Sequence, residues 1–412
     1  MRALVDSRVR PQKPRLIKVT DRVYCGHGYS VSNVMYVITG RSVVVIDTTE
    51  GISSARASCT ELAKISDLPV SYIIFTHFHG DHIRGAKVFH RPGVRIVAQK
   101  RMPEELARNK MLLPYRERVN AIQLGTPLPA VTGGSVLNDP EDGYVPPEVL
   151  IEEQLRFEEG EVEFELFHTQ GESVDHLMVW LPRERVLFPG DLFFTCFPML
   201  SNPMKPDRPV AKWIESLERM RVLRPDYLVP SHGLPIKGAA EIDSTLGNYA
   251  KAIRHVHDET VKGINEYLTL SQILDRVRLP DELKRLPYLV QRYGTVRWAV
   301  KGIFRQYTGW YDFNPAHLHP RPRAVRARAL LEASGGPGPF LARAQRAVEA
   351  SENRIALELT EIVLDAHPRH QQACALRLTA LKRLANAAPN ALERNIYRAA
   401  ANAASQAFAD ES

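Results

Sequence analysis

The sequence predicts an α/β domain followed by an all-α region, and three observations indicate this fold class. Short apolar runs of strand length alternate with segments of helical spacing up to about residue 245. Several of these runs end at a histidine or a carboxylate, as at a sheet edge that carries a site. From Ile242 onward the spacing of apolar residues is helical throughout. We therefore predict two domains, residues 1–245 and residues 246–412.

The composition limits the class of protein. The chain has 412 residues, of which 44% are hydrophobic and 25% charged, as in ordinary globular proteins with two or three domains. The sequence has no apolar run of about 18 residues and no apolar signal segment at its N-terminus, so we expect no membrane span. The four cysteines lack paired spacing, which favours a reducing compartment and a cytoplasmic location. They are Cys25, Cys59, Cys196 and Cys374.

The formal net charge is +7, and it is unevenly placed. The stretch Lys284–Arg328 is rich in Lys and Arg and contains a single acid, Asp312. Such a bias attracts anionic partners, and a solvated basic surface is the competing interpretation.

The first elements predict a sheet with one crossover helix. Strands are expected at Leu16–Val23, Asn33–Thr39 and Ser42–Asp47. The segment Ser53–Ile65 has helical spacing and precedes the apolar run Val70–Phe75, which gives a β-α-β order.

The densest group of polar side chains directly follows the strand Val70–Phe75. His77 and His79 are two residues apart, so in extended backbone they project to one side. Asp81 and His82 add a carboxylate and a third imidazole. Imidazole nitrogen and carboxylate oxygen are the donors that Zn²⁺ prefers. The sequence therefore predicts a metal site at this strand end; a loop that is rich in histidine by chance is the alternative.

The spacing His-x-His-x-Asp-His resembles that of the metallo-β-lactamase superfamily. The resemblance implies an αββα sandwich with two zinc ions at one edge of the sheets. It implies that His77 and His79 bind the first ion and that Asp81 and His82 bind the second. Asp47, at the end of a strand, matches an acid that supports the site from behind in this superfamily.

The resemblance also implies a further ligand of the first ion. In the superfamily this ligand is usually a histidine that follows the glycine of a turn. Here the turn ends in Glu172, which we predict as the ligand. His176 is its rival, and a structural role in the core is the alternative for both His176 and His168.

Two more residues complete the implied ligand set. Asp191 matches the superfamily's bridging carboxylate, and His232 matches the last imidazole of the second ion. Asp81 and Asp191 are also the predicted catalytic residues. Two metal ions about 3.5–4 Å apart lower the pKa of a shared water and polarise the scissile group. The resemblance thus implies a hydrolase in which a metal-bridging hydroxide attacks the substrate.

Segments further along the chain resemble the bacterial alkylsulfatases. They are His257–Thr260, Leu279–Leu283, Tyr293–Thr295 and Tyr307–Ala316, and the most specific part is the sequence Gly-Trp-Tyr-Asp-Phe-Asn-Pro-Ala at the end of the last segment. In that family these segments belong to an all-α dimerisation domain. The resemblance implies a homodimeric zinc enzyme that cleaves the sulfate ester of an alkyl chain. Lys205 and Arg208 are candidates for binding the sulfate.

Departures from the alkylsulfatase pattern keep a second substrate class open. Asp191 stands where that family usually has glutamate, and Leu192–Asn202 contains no histidine, although the family carries a candidate general acid there. A carboxylic ester, thioester, lactone or β-lactam is the alternative substrate, because a good leaving group needs little help from an acid. Nucleic acid is a disfavoured partner, since the insertion typical of nucleases on this fold is absent.

The chain between and after these motifs is predicted as follows. Thr126–Pro147 is rich in Pro, Gly and Asp and reads as an irregular binding loop or lid. The last four predicted helices are amphipathic, and their pairing resembles tetratricopeptide hairpins, too few for an array. They are Pro339–Ser351, Arg354–Asp365, Gln371–Asn386 and Ala391–Phe408.

Overall fold

The first sheet of the structure follows the order of the chain. The computed structural model describes residues 13–128 and 143–409. In these ranges the first sheet has seven strands. Neighbours among the first four strands pair antiparallel, and neighbours from the fourth strand to the seventh pair parallel. The strands are β1 (Arg15–Lys18), β2 (Val23–His27), β3 (Val34–Ile38), β4 (Val43–Ile46), β5 (Val70–Ile74), β6 (Arg95–Gln99) and β7 (Val149–Ile151).

The second sheet is built from the later strands. It has six strands in the described ranges, in the spatial order β13-β12-β11-β10-β9-β8, and only the β11–β12 pair is parallel. The strands are β8 (Gln154–Glu159), β9 (Val162–Thr169), β10 (His176–Leu181), β11 (Val186–Phe188), β12 (Tyr227–Leu228) and β13 (Ile236–Lys237).

The two sheets pack face to face around a shared apolar core. Val162, Phe164 and Leu166 alternate along β9, so all three point to one face of the second sheet. They belong to the same buried cluster as Val44 and Ile46 of β4. β4 is buried along its whole length, as expected for a strand that is covered on both faces.

Helices cover the outer face of each sheet. α1 (Ile52–Leu62) and α3 (Ala86–Phe89) share a buried cluster with the first sheet. α6 (Val210–Leu223), α7 (Ala239–Asn265) and α10 (Val296–Tyr307) share one with the second sheet. The predicted αββα sandwich is therefore confirmed. The other helices up to this point are α2 (Gly80–Ile83), α4 (Met102–Met111), α5 (Leu113–Leu124), α8 (Leu270–Arg276) and α9 (Asp281–Lys284).

The C-terminal part is all-α, as predicted. α12 to α15 fall within a few residues of the four predicted amphipathic helices, and α11 to α14 share a buried cluster of their own. The five helices are α11 (Arg323–Ala333), α12 (Gly338–Glu349), α13 (Asn353–Ala366), α14 (Gln371–Ala387) and α15 (Ala391–Ala409). Throughout the described ranges, every helix is too short or too polar to cross a bilayer.

The described residues form two compact units. One runs to Arg116 and then from Gly143 to Tyr307, and the other consists of Glu117–Leu128 and the residues from Thr308 onward. α7 crosses the predicted boundary between residues 245 and 246, and the assignment of separate roles to residues 1–245 and 246–412 stays a prediction. The predicted loop Thr126–Pro147 lies mostly outside the described residues.

Candidate metal centre

The His77–His82 motif lies where the sequence places it, directly beyond the end of β5. His77 and His79 occupy the turn, and Asp81 and His82 lie in the short helix α2. Their ligand atoms form two groups with residues from the second sheet's loops. Within each group all ligand atoms lie within 4.8 Å of one another. The groups are His77, His79 and Asp191, and Asp81, His82 and His232.

Asp191 lies between the two groups. Its Oδ2 is 3.9 Å from Nε2 of His77, in the first group. The same oxygen is 3.6 Å from Nε2 of His82 and 3.2 Å from Nε2 of His232, in the second group. One carboxylate oxygen therefore faces ligand nitrogens of both groups, which is the position that a bridging ligand requires.

Glu172 completes the set of donors on the first side. Its Oε1 is 3.8 Å from Nδ1 of His79, and that nitrogen is 2.8 Å from Nε2 of His77. On the second side, Oδ2 of Asp81 is 3.4 Å from Nε2 of both His82 and His232. The structure thus brings all seven predicted metal ligands together.

Hydrogen bonds behind three of the imidazoles leave Nε2 directed at the centre. Nδ1 of His82 donates to the carboxylate of Asp47 at 2.7 Å, and Nδ1 of His232 donates to the carbonyl oxygen of Val31 at 2.9 Å. The Thr76 hydroxyl donates to Asp47, so Nδ1–H of His77 donates to that hydroxyl at 3.1 Å. Fixing one ring nitrogen in this way orients the other for a metal ion.

Asp47 joins two of the loops that carry ligands. Its carboxylate accepts hydrogen bonds from the backbone N–H and the hydroxyl of Thr76, from His82 and from the hydroxyl of Ser231. The backbone of Asp47 is left-handed, with φ at 57°. The structure places this acid behind the centre, as the resemblance implies.

The electrostatics of the centre are dominated by its carboxylates. Burial, followed by the neighbouring His82 and His79, holds the pKa of His77 well below its usual value, so this ring is a neutral donor. Burial alone would lower the pKa of His82, but Asp81, Asp47 and Asp191 raise it well above its usual value. Burial would raise the pKa of Asp191, and His232 and His82 hold it well below the usual range. The carboxylates thus create a site of excess negative charge.

Unpaired buried atoms show that the donor set fits metal ions. Within residues 13–128 and 143–409, no group hydrogen-bonds to Nε2 of His82, Oδ1 of Asp191 or Oε2 of Glu172, although all three atoms are buried. Polar atoms left in this state destabilise a folded protein unless a ligand binds them. Imidazole nitrogen and carboxylate oxygen in this arrangement are donors that can hold a metal ion.

His176 and His168 have structural partners. Nε2 of His176 accepts a hydrogen bond from the backbone N–H of Asp191 at 3.1 Å, and its Nδ1 bonds the hydroxyl of Thr169 at 3.0 Å. A Cβ on Gly190, whose φ is 56°, would lie 2.4 Å from that Nε2, so only glycine fits there. His168 bonds a backbone carbonyl oxygen through Nε2. Glu172, and not His176, faces His79.

The two predicted sulfate-binding residues lie beside Glu172. Arg208 is buried, and its Nε donates to the carbonyl oxygen of Glu172 at 3.2 Å, while Nη2 donates to Oε1 of the same residue. Nη1 is buried and has no hydrogen-bond partner among the described residues. Burial, then Arg116 and Arg208, lower the pKa of Lys205 to about 7. Among the described residues, Nη1 of Arg208 is thus the cationic donor left available to an anion.

Several supporting residues could not be found from the sequence. Asp175 accepts a hydrogen bond from the backbone N–H of Phe78, between the two histidines of the first group. The amide of Asn33 donates to the carbonyl oxygens of Pro230 and Gly233 on either side of the His232 loop. Each contact joins segments far apart in the chain, so no local sequence pattern predicts it.

Comparison with known proteins decides the family. A profile of the Metallo-beta-lactamase superfamily matches residues 27–232, which is half of the chain. The chain belongs to this superfamily. A second profile, Alkyl sulfatase dimerisation, matches residues 269–406. Both predicted resemblances, to the metallo-β-lactamase fold and to the alkylsulfatases within it, are thereby confirmed.

Several individual relatives of this chain are alkylsulfatases. It is 29% identical over 375 residues to a linear primary-alkylsulfatase of a Pseudomonas species, and this match covers 86% of the chain. It is 27% identical to the alkyl/aryl-sulfatase BDS1 of Saccharomyces cerevisiae over 93% of its length. The solved structure of a double mutant of the sec-alkyl sulfatase PisA1 matches with a TM-score of 0.85 and 25% identity over 95% of the chain.

The chain is shorter than these relatives. It spans 70% of the Pseudomonas enzyme, 62% of BDS1 and 65% of PisA1. The matches support the predicted class of enzyme, a hydrolase of sulfuric esters, for the part of those proteins that the chain shares.

Proposed function

We propose that this protein is a zinc-dependent alkylsulfatase that hydrolyses the sulfate ester of an alkyl chain. The observation that carries the proposal is that two ligand groups meet at Asp191, close to the buried guanidinium of Arg208, whose Nη1 has no hydrogen-bond partner within residues 13–128 and 143–409. The alkylsulfatase relatives support the choice of substrate class.

The ligands divide between two zinc ions. His77, His79 and Glu172 would hold the first ion, and Asp81, His82 and His232 the second. Asp191 would contact both, since its Oδ2 faces nitrogens of both groups. When bound, the ions would lower the pKa of a water molecule and withdraw charge from the ester.

The two proposed catalytic residues have different roles. Asp191 sets the separation of the two groups through its central oxygen. Asp81 is the most exposed carboxylate of the set, with 28% of its side chain accessible. From this position its oxygen can accept a hydrogen bond from the attacking water and orient it towards the ester.

Arg208 and Lys205 would hold the sulfate group. Arg208 is anchored by Glu172, so its Nη1, which no other described residue binds, is fixed in direction and can donate to a sulfate oxygen without losing side-chain entropy. Lys205 adds a second cationic donor beside it. Because Glu172 contacts both His79 and Arg208, it would link the first ion to the bound anion.

The alkyl sulfatase dimerisation match supports a homodimer. We propose that residues 246–412 contain the dimerisation region and that residues 1–245 carry the catalytic centre. Zinc as the metal, two ions per chain, the anionic or amphiphilic ester as partner and the cytoplasmic location belong to the same set of proposals.

Sulfate release by the zinc-loaded chain tests the function. We expect hydrolysis of n-alkyl sulfates, loss of activity after chelation, and recovery on adding zinc. The same preparation is assayed with chromogenic carboxylic esters, thioesters, lactones and a β-lactam. Hydrolysis of any of these well above the best alkyl sulfate would contradict the proposal in favour of the alternative substrate class.

A further inference from the structure

Consecutive large apolar side chains are exposed at the turn from α4 to α5. The exposed fraction is 74% for Met111, 43% for Leu112, 46% for Leu113 and 52% for Tyr115. We call these four residues the 111–115 patch. A contiguous exposed apolar surface on a folded protein usually marks a binding site for a ligand, a membrane or another protein.

The patch is joined to the segment that carries the two cations of the candidate centre. The hydroxyl of Tyr115 donates to the carbonyl oxygen of Met204 at 2.8 Å, and Met204 directly precedes Lys205. This hydrogen bond fixes the turn beside Met204–Arg208.

Arg116 continues the patch towards the centre. Burial, and then the charge of Arg208, lower the pKa of Arg116, and Arg116 in turn lowers the pKa of Lys205. The three cations therefore lie within each other's electrostatic reach, in a largely desolvated place. The hydrogen bond from Tyr115 to Met204 therefore places the apolar patch beside the segment that carries Lys205 and Arg208.

We propose that the 111–115 patch binds the alkyl chain of a substrate whose anionic head lies between Lys205 and Arg208. This inference rests on the proposed function. The occupant must be amphiphilic, because a purely apolar partner would not bind Nη1 of Arg208, which has no hydrogen-bond partner among the described residues, and a purely ionic one would leave the patch in water. An n-alkyl sulfate has both parts in the required order.

The tail-binding role predicts how affinity depends on chain length. The probes are n-alkanesulfonates, which keep the anionic head and the tail but contain no ester bond to cleave. Calorimetric titration of the metal-loaded chain with a series of these probes gives the dissociation constant at each length. We expect affinity to rise roughly two- to fourfold per added methylene, the upper figure applying to a fully buried tail.

The decisive variant is the double substitution Met111→Ser with Leu113→Ser, at positions that are both exposed and so tolerate polar residues. We expect it to abolish the gain per methylene and to leave the affinity for methanesulfonate unchanged. Val222→Ser is the matched control, since Val222 is 79% exposed and lies outside the patch. It should keep the full dependence on chain length.

Three outcomes would overturn the inference. An unchanged gain per methylene in the double variant would do so while sulfate release remained intact, leaving the proposed function standing. A shift of the double variant from dimer to monomer in size-exclusion chromatography would show that the patch binds a second copy instead. If no alkanesulfonate bound the unmodified chain and no alkyl sulfate were hydrolysed, the proposed function itself would fail.

Discussion

The two sides of the candidate metal centre are held in different ways. On the second side, which consists of Asp81, His82 and His232, both imidazoles are fixed by acceptors from the protein. His82 is bound to the fully buried Asp47, and His232 to a backbone carbonyl oxygen. These hydrogen bonds orient both rings without help from a cation.

On the first side, which consists of His77, His79 and Glu172, one ligand also binds a residue that is not a metal ligand. Its carboxylate forms a buried salt bridge with Arg208 as well as facing His79. A cation on this side must therefore share Glu172 with a guanidinium that we assign to the substrate's anion. From this difference we expect the second side to be preformed for metal binding and, under the proposed function, the first side to couple metal binding to substrate binding.

Removing the carboxylate of Asp191 should have the largest effect on activity, because both ligand groups lose a donor at once. We expect Asp191→Asn to lower sulfate-ester hydrolysis by more than about 100-fold, since losing a supporting residue alone costs about 10–100-fold. Metal analysis by mass spectrometry should show fewer than two ions per chain. Asp226→Asn is the control, since Asp226 pairs with Arg185 at the surface. Full metal content and activity in Asp191→Asn would contradict the bridging role.

The preformed side can be weakened by itself through Asp47. Asp47→Asn keeps the shape of the residue but presents an amide to His82, so we expect zinc affinity to fall about 10- to 100-fold at one of two sites. Titration with a chromogenic chelator should resolve one weakened and one unaffected site. Equal weakening of both sites would show that the two sides are not independent.

The coupled side can be tested through Arg208. Arg208→Met removes the anion donor and frees Glu172, so KM for alkyl sulfates should rise about 10- to 100-fold, the value of a charge-assisted hydrogen bond. The content of two zinc ions should remain. Arg305→Met is the control, because Arg305 pairs with Asp207 and not with Glu172. Loss of zinc with an unchanged KM would show that Arg208 supports metal binding through Glu172 and does not bind the substrate.

The smallest effect is expected at Asp175. Its carboxylate accepts from the N–H of Phe78, and Asn at this position keeps an acceptor oxygen. We expect Asp175→Ala to weaken zinc binding about 10-fold and Asp175→Asn to weaken it less. Measured zinc affinities for both variants check this order. Equal losses would indicate that the negative charge matters and not the hydrogen bond.

The sequence was most informative where ligands are close together in the chain. His77 to His82 span six positions, so their spacing alone predicts the site, and Glu172, Asp191 and His232 follow from the order of the superfamily's motifs. The αββα sandwich follows from the same resemblance. In the structure, all seven of these residues lie in one cluster.

The contacts that support the ligands were not predictable in the same way. Arg116 reaches Lys205 and Arg208, and Asp175 reaches Phe78, across intervals of about 90 residues that only folding closes. Asp47 was assigned to the site by resemblance, but its four hydrogen bonds depend on the left-handed backbone at that position. Side-chain direction and long-range contact are properties of packing and not of local pattern.

We propose that one chain holds two metal ions at Asp191. A crystal structure of the zinc-loaded chain, with anomalous scattering measured at the zinc edge, would show them most directly. We predict two peaks per chain, one beside His77, His79 and Glu172 and one beside Asp81, His82 and His232, with Asp191 in contact with both. A single peak, or two peaks that leave Glu172 or Asp191 without a metal contact, would contradict it.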